Sequence, residues 1–490
     1  MDRRRFLTTS IIAGTALLLP GLGSRRAFAA ALPTQIVDFS ALQLSRAIHE
    51  RNVSCIEVMQ AYLAHIARHN PTYNAIVGQV DDDSLLAQAA AADNALAQGN
   101  DRGWMHGMPH AVKDLAAVAG LIHTQSSPVY AGRIAAEDSD MAARLRSAGA
   151  IFIGKTNASE FGFGSQSYNP LFGATGSAYD PALTAGGSSG GAGSALGTRM
   201  VPVADGSDQM GSVRNPGAFN NVIGFRPSAG SQNGTPPSQR PLSTGGPMGR
   251  NTADTIALLQ TQSPRPLPEP FAPLNLNGLR LGWIGDMEGY LAMEAGILPL
   301  CESGLEVVEG AGARVEPVQP RLSPESLWEC WTILRHTGRR GMGDLYDDPA
   351  TRGLLKPEVV WEIEQGRAHT DEDIARANAL RQDWYQEQDR LFGQFDFLVM
   401  PTVQVFPFPK EIHWPTAIAG RTMDTYHRWM ESVILASVGG LPTINVPVGF
   451  DPRGRPMGMQ VMGRYGDDKR VLEFGLAYEQ FTDHLSRRPW

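Results

Sequence analysis

Residues 186–216 read GGSSGGAGSALGTRMVPVADGSDQMGSVRNP, and the reading of this stretch decides the fold. Gly186-Gly187-Ser188-Ser189-Gly190-Gly191 and Gly211-Ser212 frame an apolar span, Ala192 to Ala204, that predicts a buried helix followed by a strand. Two serines are thereby brought back to one place. Glycine on both sides of a serine opens backbone conformations closed to other residues and lets the main chain approach a substrate closely, as a ring of amide donors around an oxyanion requires. A flexible Gly/Ser linker would not carry the apolar, β-rich core Met200-Val201-Pro202-Val203-Ala204.

Upstream stands Gly107-Met108-Pro109-His110-Ala111-Val112-Lys113-Asp114, and Ser212 lies 24 residues after Ser188. With GGSSGG and the D-x-x-G-S-x-R run from Asp208 to Arg214, these motifs make the chain resemble the amidase signature family. Further landmarks extend the resemblance over nearly the whole mature chain, among them Ile153-Gly154-Lys155-Thr156-Asn157, Gly224-Phe225-Arg226-Pro227-Ser228 and Gly440-Leu441-Pro442-Thr443. It implies an α/β fold, a mixed central β-sheet covered by helices on both sides, with a helical elaboration that shapes the substrate pocket. It implies a triad of Lys113, Ser188 and Ser212, with a cis peptide bond before Ser188. Ser212 would attack a carbonyl carbon, and the backbone amides of Gln209, Met210, Gly211 and Ser212 would form the oxyanion hole. Ser189, Asp208 and Arg214 would support these groups. Met210 departs from the family pattern, which usually has glycine there. The implied reaction is hydrolysis of a small-molecule carboxylic amide to acid plus ammonia or amine, with no metal or organic cofactor. Ester or carbamate hydrolysis and peptide amidase activity are alternatives on the same triad, and a catalytically inactive binding protein is the alternative of another class.

Lys113 needs a physical argument, because a lysine of ordinary pKa, about 10.4, is neutral in only about 4 of 10,000 molecules at pH 7. Burial lowers that pKa, and Ala111-Val112 before the lysine and Leu115-Ala116-Ala117 after it supply an apolar setting. The competing reading is a surface lysine paired with Asp114. Two accidental matches are set aside. Gly187 to Gly191 satisfies the G-x-S-x-G elbow, which would make Ser189 the nucleophile, but His413 and His427 sit in no recognisable context and Lys113 would go unexplained. Gly149 to Thr156 satisfies the P-loop pattern, but its middle is an apolar strand where a phosphate cradle must bend.

Residues 1–29 read as a targeting segment, with Arg3-Arg4-Arg5-Phe6-Leu7 matching the twin-arginine pattern, Ile11 to Leu22 apolar and Ala27-Phe28-Ala29 a cleavage site. The apolar run is shorter than the roughly 20 residues that span a bilayer. Export to the periplasm or beyond is the expectation. Without this segment, which holds five arginines and one aspartate, the net charge moves from -8 to -12. So acidic a chain is a poor binder of nucleic acid or anionic membrane. Cys55, Cys301 and Cys330 are too few and too scattered for a disulfide framework or a zinc site, and Cys301 and Cys330 are expected to be unpaired.

Residues 30–490 read as one domain, with core motifs at 107–250 and 395–480 and a variable helical region at about 275–392. Helical spacing predicts two helices within 39–70, the second stopped by Pro71, and others at 83–98, 142–148, 292–308 and 372–392. Strands are expected at 150–154 and 278–282, and one should deliver Lys113. No internal repeat is visible. The cluster Trp414, Met423, Tyr426, Trp429 and Met430 fits an apolar substrate pocket and a buried core equally well.

Overall fold

The computed structural model describes residues 33–230 and 240–490. The leader expected at 1–29 lies outside them. Residues Gln35–Trp490 form one compact unit, and among the described residues no helix is long and apolar enough to cross a membrane.

An eight-stranded mixed sheet organises the molecule. Its order is Arg314–Pro317, Arg280–Trp283, Phe397–Pro401, Pro456–Met462, Thr443–Phe450, Ile223–Arg226, Thr244–Gly249 and Val203–Asp208. The first three strands run parallel and the remaining pairs are antiparallel. Every residue of Phe397–Pro401 and Pro456–Met462 is buried, as helices covering both faces require.

The strand that carries Lys113, Pro109–Lys113, does not join this sheet. It belongs to a second sheet of three, in which Ile151–Thr156 is the middle strand, parallel to Pro109–Lys113 and antiparallel to Ile76–Val77. The two sheets meet at Val203–Asp208, an edge strand of the large one. Asp205 on that edge accepts from the Lys113 N–H at 3.2 Å and contacts His110 Nε2 at 3.1 Å. A side-chain carboxylate thus joins the two sheets at the seam, where no main-chain ladder does.

The hydrophobic core is divided the same way. Val203, Ala204 and Val213 belong to the cluster built by the N-terminal helices and the small sheet, whereas Met210, Ala218 and Phe219 belong to the cluster around the large sheet. The stretch 203–219 therefore crosses from one core to the other.

Among the helices, Ser40 and Ser54 cap Ala41–His49 and Cys55–Tyr73, each in a capping box with Gln43 or Glu57, a device worth about 1 kcal/mol. Pro71 does not stop the second helix. It lies within the last turn, and the end comes at left-handed Asn74, whose N–H still reaches the Asn70 carbonyl at 2.7 Å. One missing donor in a final turn is tolerated when the next bond closes. The helix expected from 292 starts at Ile297, because 285–290 forms turns, 292–294 has no regular structure and the cap Gly296 is left-handed, and Asp371–Phe392 begins on the capping box of Thr370 and Asp373. All three cysteines are free and buried.

Candidate active site

Gly190–Gly197 forms the buried helix and Val203–Asp208 the strand expected between the two glycine-serine clusters, and together they return Ser212 to the neighbourhood of Ser188. The Gly187–Ser188 peptide bond is cis. The Ser188 carbonyl is held by the Ser159 N–H at 3.3 Å and the Ser167 hydroxyl at 3.1 Å. The Ser189 N–H donates to the Ser212 carbonyl at 3.2 Å, so the two serine loops are joined through main chain. Among the described residues no hydrogen bond joins the Ser212 and Ser188 hydroxyls themselves.

Lys113 is 1% exposed and is not paired with Asp114, which instead accepts from Thr124 and from the Ser126 N–H. Its Nζ donates to three hydroxyls, Ser189 Oγ at 2.7 Å, Ser188 Oγ at 2.8 Å and Ser207 Oγ at 3.0 Å. Burial pushes the amine down to about 7, against the pull of Asp205 and Asp208, which favour its charge. The amine is thus poised between its neutral and charged forms near neutral pH, which a general base needs. Ser207, one position before Asp208, and Asp205 were not singled out in the sequence, although the strand predicted there carries both.

The loop at Ser212 is built for close approach. Gly211 has φ +77°, and a Cβ there would lie 2.6 Å from Asn215 Oδ1. On the facing loop, a Cβ on Gly162 would lie 3.5 Å from Ser188 Oγ. Of the four amides expected to line an oxyanion hole, the structure removes one. The Gly211 N–H donates to Asp208 Oδ1 at 3.0 Å, because the tight turn folds it back over that carboxylate. The N–H groups of Gln209, Met210 and Ser212 have no acceptor among the described residues.

Asp208 is buried between two guanidinium groups. Arg214 reaches it through Nη2 at 2.9 Å and Nε at 3.0 Å, and Arg226 through Nη1 at 3.2 Å. Burial alone would raise its pKa, but Arg214 and Arg226 hold it well below the usual carboxylate range. Arg214 continues to Gln460 Oε1 at 2.7 Å, the Val433 carbonyl and Ser437 Oγ, both at 3.1 Å. The loop carrying Ser212 is thereby anchored to the C-terminal third of the chain.

Ser212 opens on a cavity of about 10 Å³, whose walls are Met210, Met430, Tyr426, Arg335, Gly162 and Gly164. This is room for about one water. The aromatic and methionine cluster divides accordingly. Tyr426 and Met430 face the cavity, whereas Trp429 packs edge-on against Phe408 within the core. Arg335, on helix Pro324–Thr337, is bound by Glu362 through Nε at 2.8 and 3.0 Å, and Tyr426 donates to the same carboxylate. One turn on, Arg339 Nη2 donates to Gln209 Oε1 at 2.6 Å and lines a second cavity of about 320 Å³ with Phe161, Tyr130 and Met342.

Neither accidental match acquires a site. His413 contacts Tyr168 and His427 contacts His336, so among the described residues no histidine is bonded to Ser188, Ser189 or Ser212. Gly149 to Thr156 runs into the buried strand Ile151–Thr156, and the Lys155 amine is spent on the Ala116 carbonyl.

The family model described as Amidase matches residues 57–472. An acylamidase of Rhodococcus erythropolis is 30% identical, over 92% of this chain and 97% of its own. A Glutamyl-tRNA(Gln) amidotransferase subunit of Thermosynechococcus vestitus is likewise 30% identical, over 91% of this chain and 98% of its own. The crystal structure of a bacterial aryl acylamidase of the amidase signature enzymes superimposes with a TM-score of 0.82 at 25% identity, covering 92% of this chain and 96% of that one. Fold and relatives define a hydrolase acting on amide bonds. The chain belongs to the Amidase family, the amidase signature enzymes.

Proposed function

We propose that this enzyme hydrolyses a small carboxylic amide to acid plus ammonia or amine through an acyl-enzyme on Ser212, with Lys113 as base acting through Ser188. The observation that carries the reading is a buried lysine amine 2.8 Å from the Ser188 hydroxyl, with no ion pair among the described residues to keep it charged. A neutral Lys113 takes a proton from Ser188 as Ser188 takes one from Ser212, and the alkoxide attacks the carbonyl carbon. The same relay returns the proton to the leaving nitrogen, and water then repeats the path to release the acid. The developing oxyanion meets the N–H groups of Gln209, Met210 and Ser212, which fixed donors stabilise most where water is excluded. Ser189 holds the lysine amine, and Asp208 with Arg214 holds the loop. Met210, Met430 and Tyr426 support an apolar acyl group.

Esters, carbamates and peptide amides remain substrates that the same relay could process, and the leader pattern at 1–29 supports an exported enzyme acting alone on a small molecule rather than as part of an amidotransferase. The test is a fluorophosphonate probe followed by peptide mapping, alongside a screen of aryl, alkyl and peptide amides with matched esters and carbamates. The adduct is expected on Ser212, and Ser212→Ala should lose labelling and at least about 10,000-fold in kcat/KM with its fold intact. An adduct on Ser189 would restore the nucleophile-elbow reading, and an inert Ser212 would favour a binding protein.

A further inference from the structure

Lys113 borders a third cavity that the relay does not use. It measures about 190 Å³ and shares no lining residue with the cavity at Ser212. Its polar wall is Lys113, Asp205, Ser207, Arg144 and Gln262, and Gly245 lies at its mouth, an exposed residue on the strand beside Ser207. Gln262 is 3% exposed, and its Oε1 is buried with no hydrogen-bond partner among the described residues. A buried amide oxygen without a partner costs free energy unless something in the cavity donates to it. The space is many times the size that holds one water, and the wall offers waters several partners.

The valence of the lysine connects this chamber to the site. A neutral amine has two N–H donors and one lone pair, and three hydroxyls surround Nζ. If the lone pair accepts from Ser188, as the proposed relay requires, the two N–H groups go to Ser189 and Ser207. Ser207 then accepts from Lys113 and has its own O–H free for the chamber. We infer that this chamber is a rear approach to Lys113, a hydrated site that takes water and other small polar molecules up to the size of a short primary amine, through which the lysine exchanges its proton with solvent whether or not substrate fills the Ser212 side. In that exchange the ammonium gives a proton to Ser207 Oγ as the Ser207 hydroxyl proton passes to a chamber water, leaving a neutral amine and hydronium. The inference rests on the proposed role of Lys113 as base.

Chemical rescue separates the two. In Lys113→Ala the vacated space joins the chamber, and methylamine entering from behind should restore the base. Aniline release from an anilide, limited by acylation in this variant, should rise at least about tenfold with methylamine. The rise should reach half-maximum at the same methylamine concentration whether substrate is dilute or saturating. Gly245→Leu should abolish the rescue, since a Cβ there meets nothing nearer than the Gly206 carbonyl oxygen at 3.9 Å and the longer side chain fills the mouth. The same substitution in the native chain should leave anilide hydrolysis unchanged. Rescue that weakens as substrate saturates, rescue untouched by Gly245→Leu, or no rescue in a folded Lys113→Ala would overturn the inference. Full activity of Lys113→Ala without amine would instead overturn the base assignment. A second measurement needs no lysine variant: in the native chain with Ser212 capped by a fluorophosphonate, cyanate should still carbamylate Lys113, and Gly245→Leu should slow that reaction about tenfold or more by excluding reagent from a close-packed interior. Protection of Lys113 by the cap, with no effect of Gly245→Leu, would place its only approach on the substrate side.

Discussion

Lys113 and Asp208 are both buried, both on or beside the strand pair at the seam of the two sheets, and they ionise in opposite ways. Asp208 has two guanidinium partners and stays charged, although burial opposes it. Lys113 has only hydroxyls around its amine and slides to about 7. Burial sets the cost of charge equally at both, and the partner decides whether it is met. The carboxylate that fixes the loop is given ions, and the amine proposed to exchange a proton is given neutral oxygens. The contrast predicts opposite responses to substitution.

The largest effect belongs to the chemistry. For a native anilide, kcat/KM should rise with pH along one ionisation near 7 and level off above it, since burial leaves the amine neutral there. Lys113→Ala should remove that ionisation and cost about 100- to 10,000-fold on the anilide, and less on the matched aryl ester, whose good leaving group hardly needs the returned proton. Lys113→Arg should not recover activity, because a guanidinium stays protonated. A pH profile unchanged in Lys113→Ala would take the lysine out of the mechanism and erase the contrast.

Asp208→Asn attacks the other member. Two buried arginines lose their anion, and breaking a buried ion pair from one side costs about 3 to 5 kcal/mol. Denaturant unfolding at pH 7 should show a loss of that size, and the acid limb should change as well. Because the folded-state pKa of Asp208 is depressed, its contribution is fully present above the ordinary carboxylate range and is lost as pH falls through its folded value. Asp208→Asn should therefore lose its stability deficit as the medium becomes strongly acidic. A variant as stable as the native chain at pH 7 would show that the arginines find other partners.

The sequence made one side of this contrast far more legible than the other. Glycine flanking serine marks the two serine clusters, the family resemblance picks Ser188, Ser212 and Lys113 out as a triad, and the helix Gly190–Gly197 and strand Val203–Asp208 between the serines follow from an apolar span. Contacts that depend on distant partners left no local mark. Arg335 meets Glu362 across 27 residues, and nothing in the sequence around either distinguishes them from a surface helix, while Tyr426, 91 residues from Arg335, stood out only as a member of an apolar cluster. Likewise the resemblance placed the backbone N–H of Gly211 in the oxyanion hole. Only the fold shows that the Asp208 carboxylate already occupies it. The placement of Lys113 on a separate small sheet was hidden for a related reason, since a side-chain carboxylate, Asp205, joins the two sheets where a ladder would have been read.

The smallest effect is the most discriminating, because its sign is the reverse of the one at Asp208. Lys113→Met removes an amine that the fold holds near 7, against an ordinary value of 10.5. Between those two values the unfolded lysine binds a proton that the folded lysine does not, so native stability rises with pH through this window, and below it the penalty is constant. The substitution abolishes that slope. It also leaves the hydroxyls of Ser188, Ser189 and Ser207 without their amine partner, a cost of about 1 to 3 kcal/mol that offsets part of the gain. That offset does not vary with pH, so comparison of the two proteins at two pH values cancels it. The stability advantage of Lys113→Met over the native chain should be larger at pH 7 than at pH 9 by about 2 to 3 kcal/mol, at 1.36 kcal/mol for each unit. An advantage that does not change between these pH values would mean that the amine keeps its charge in the folded protein, and that Lys113, like Asp208, is a structural ion.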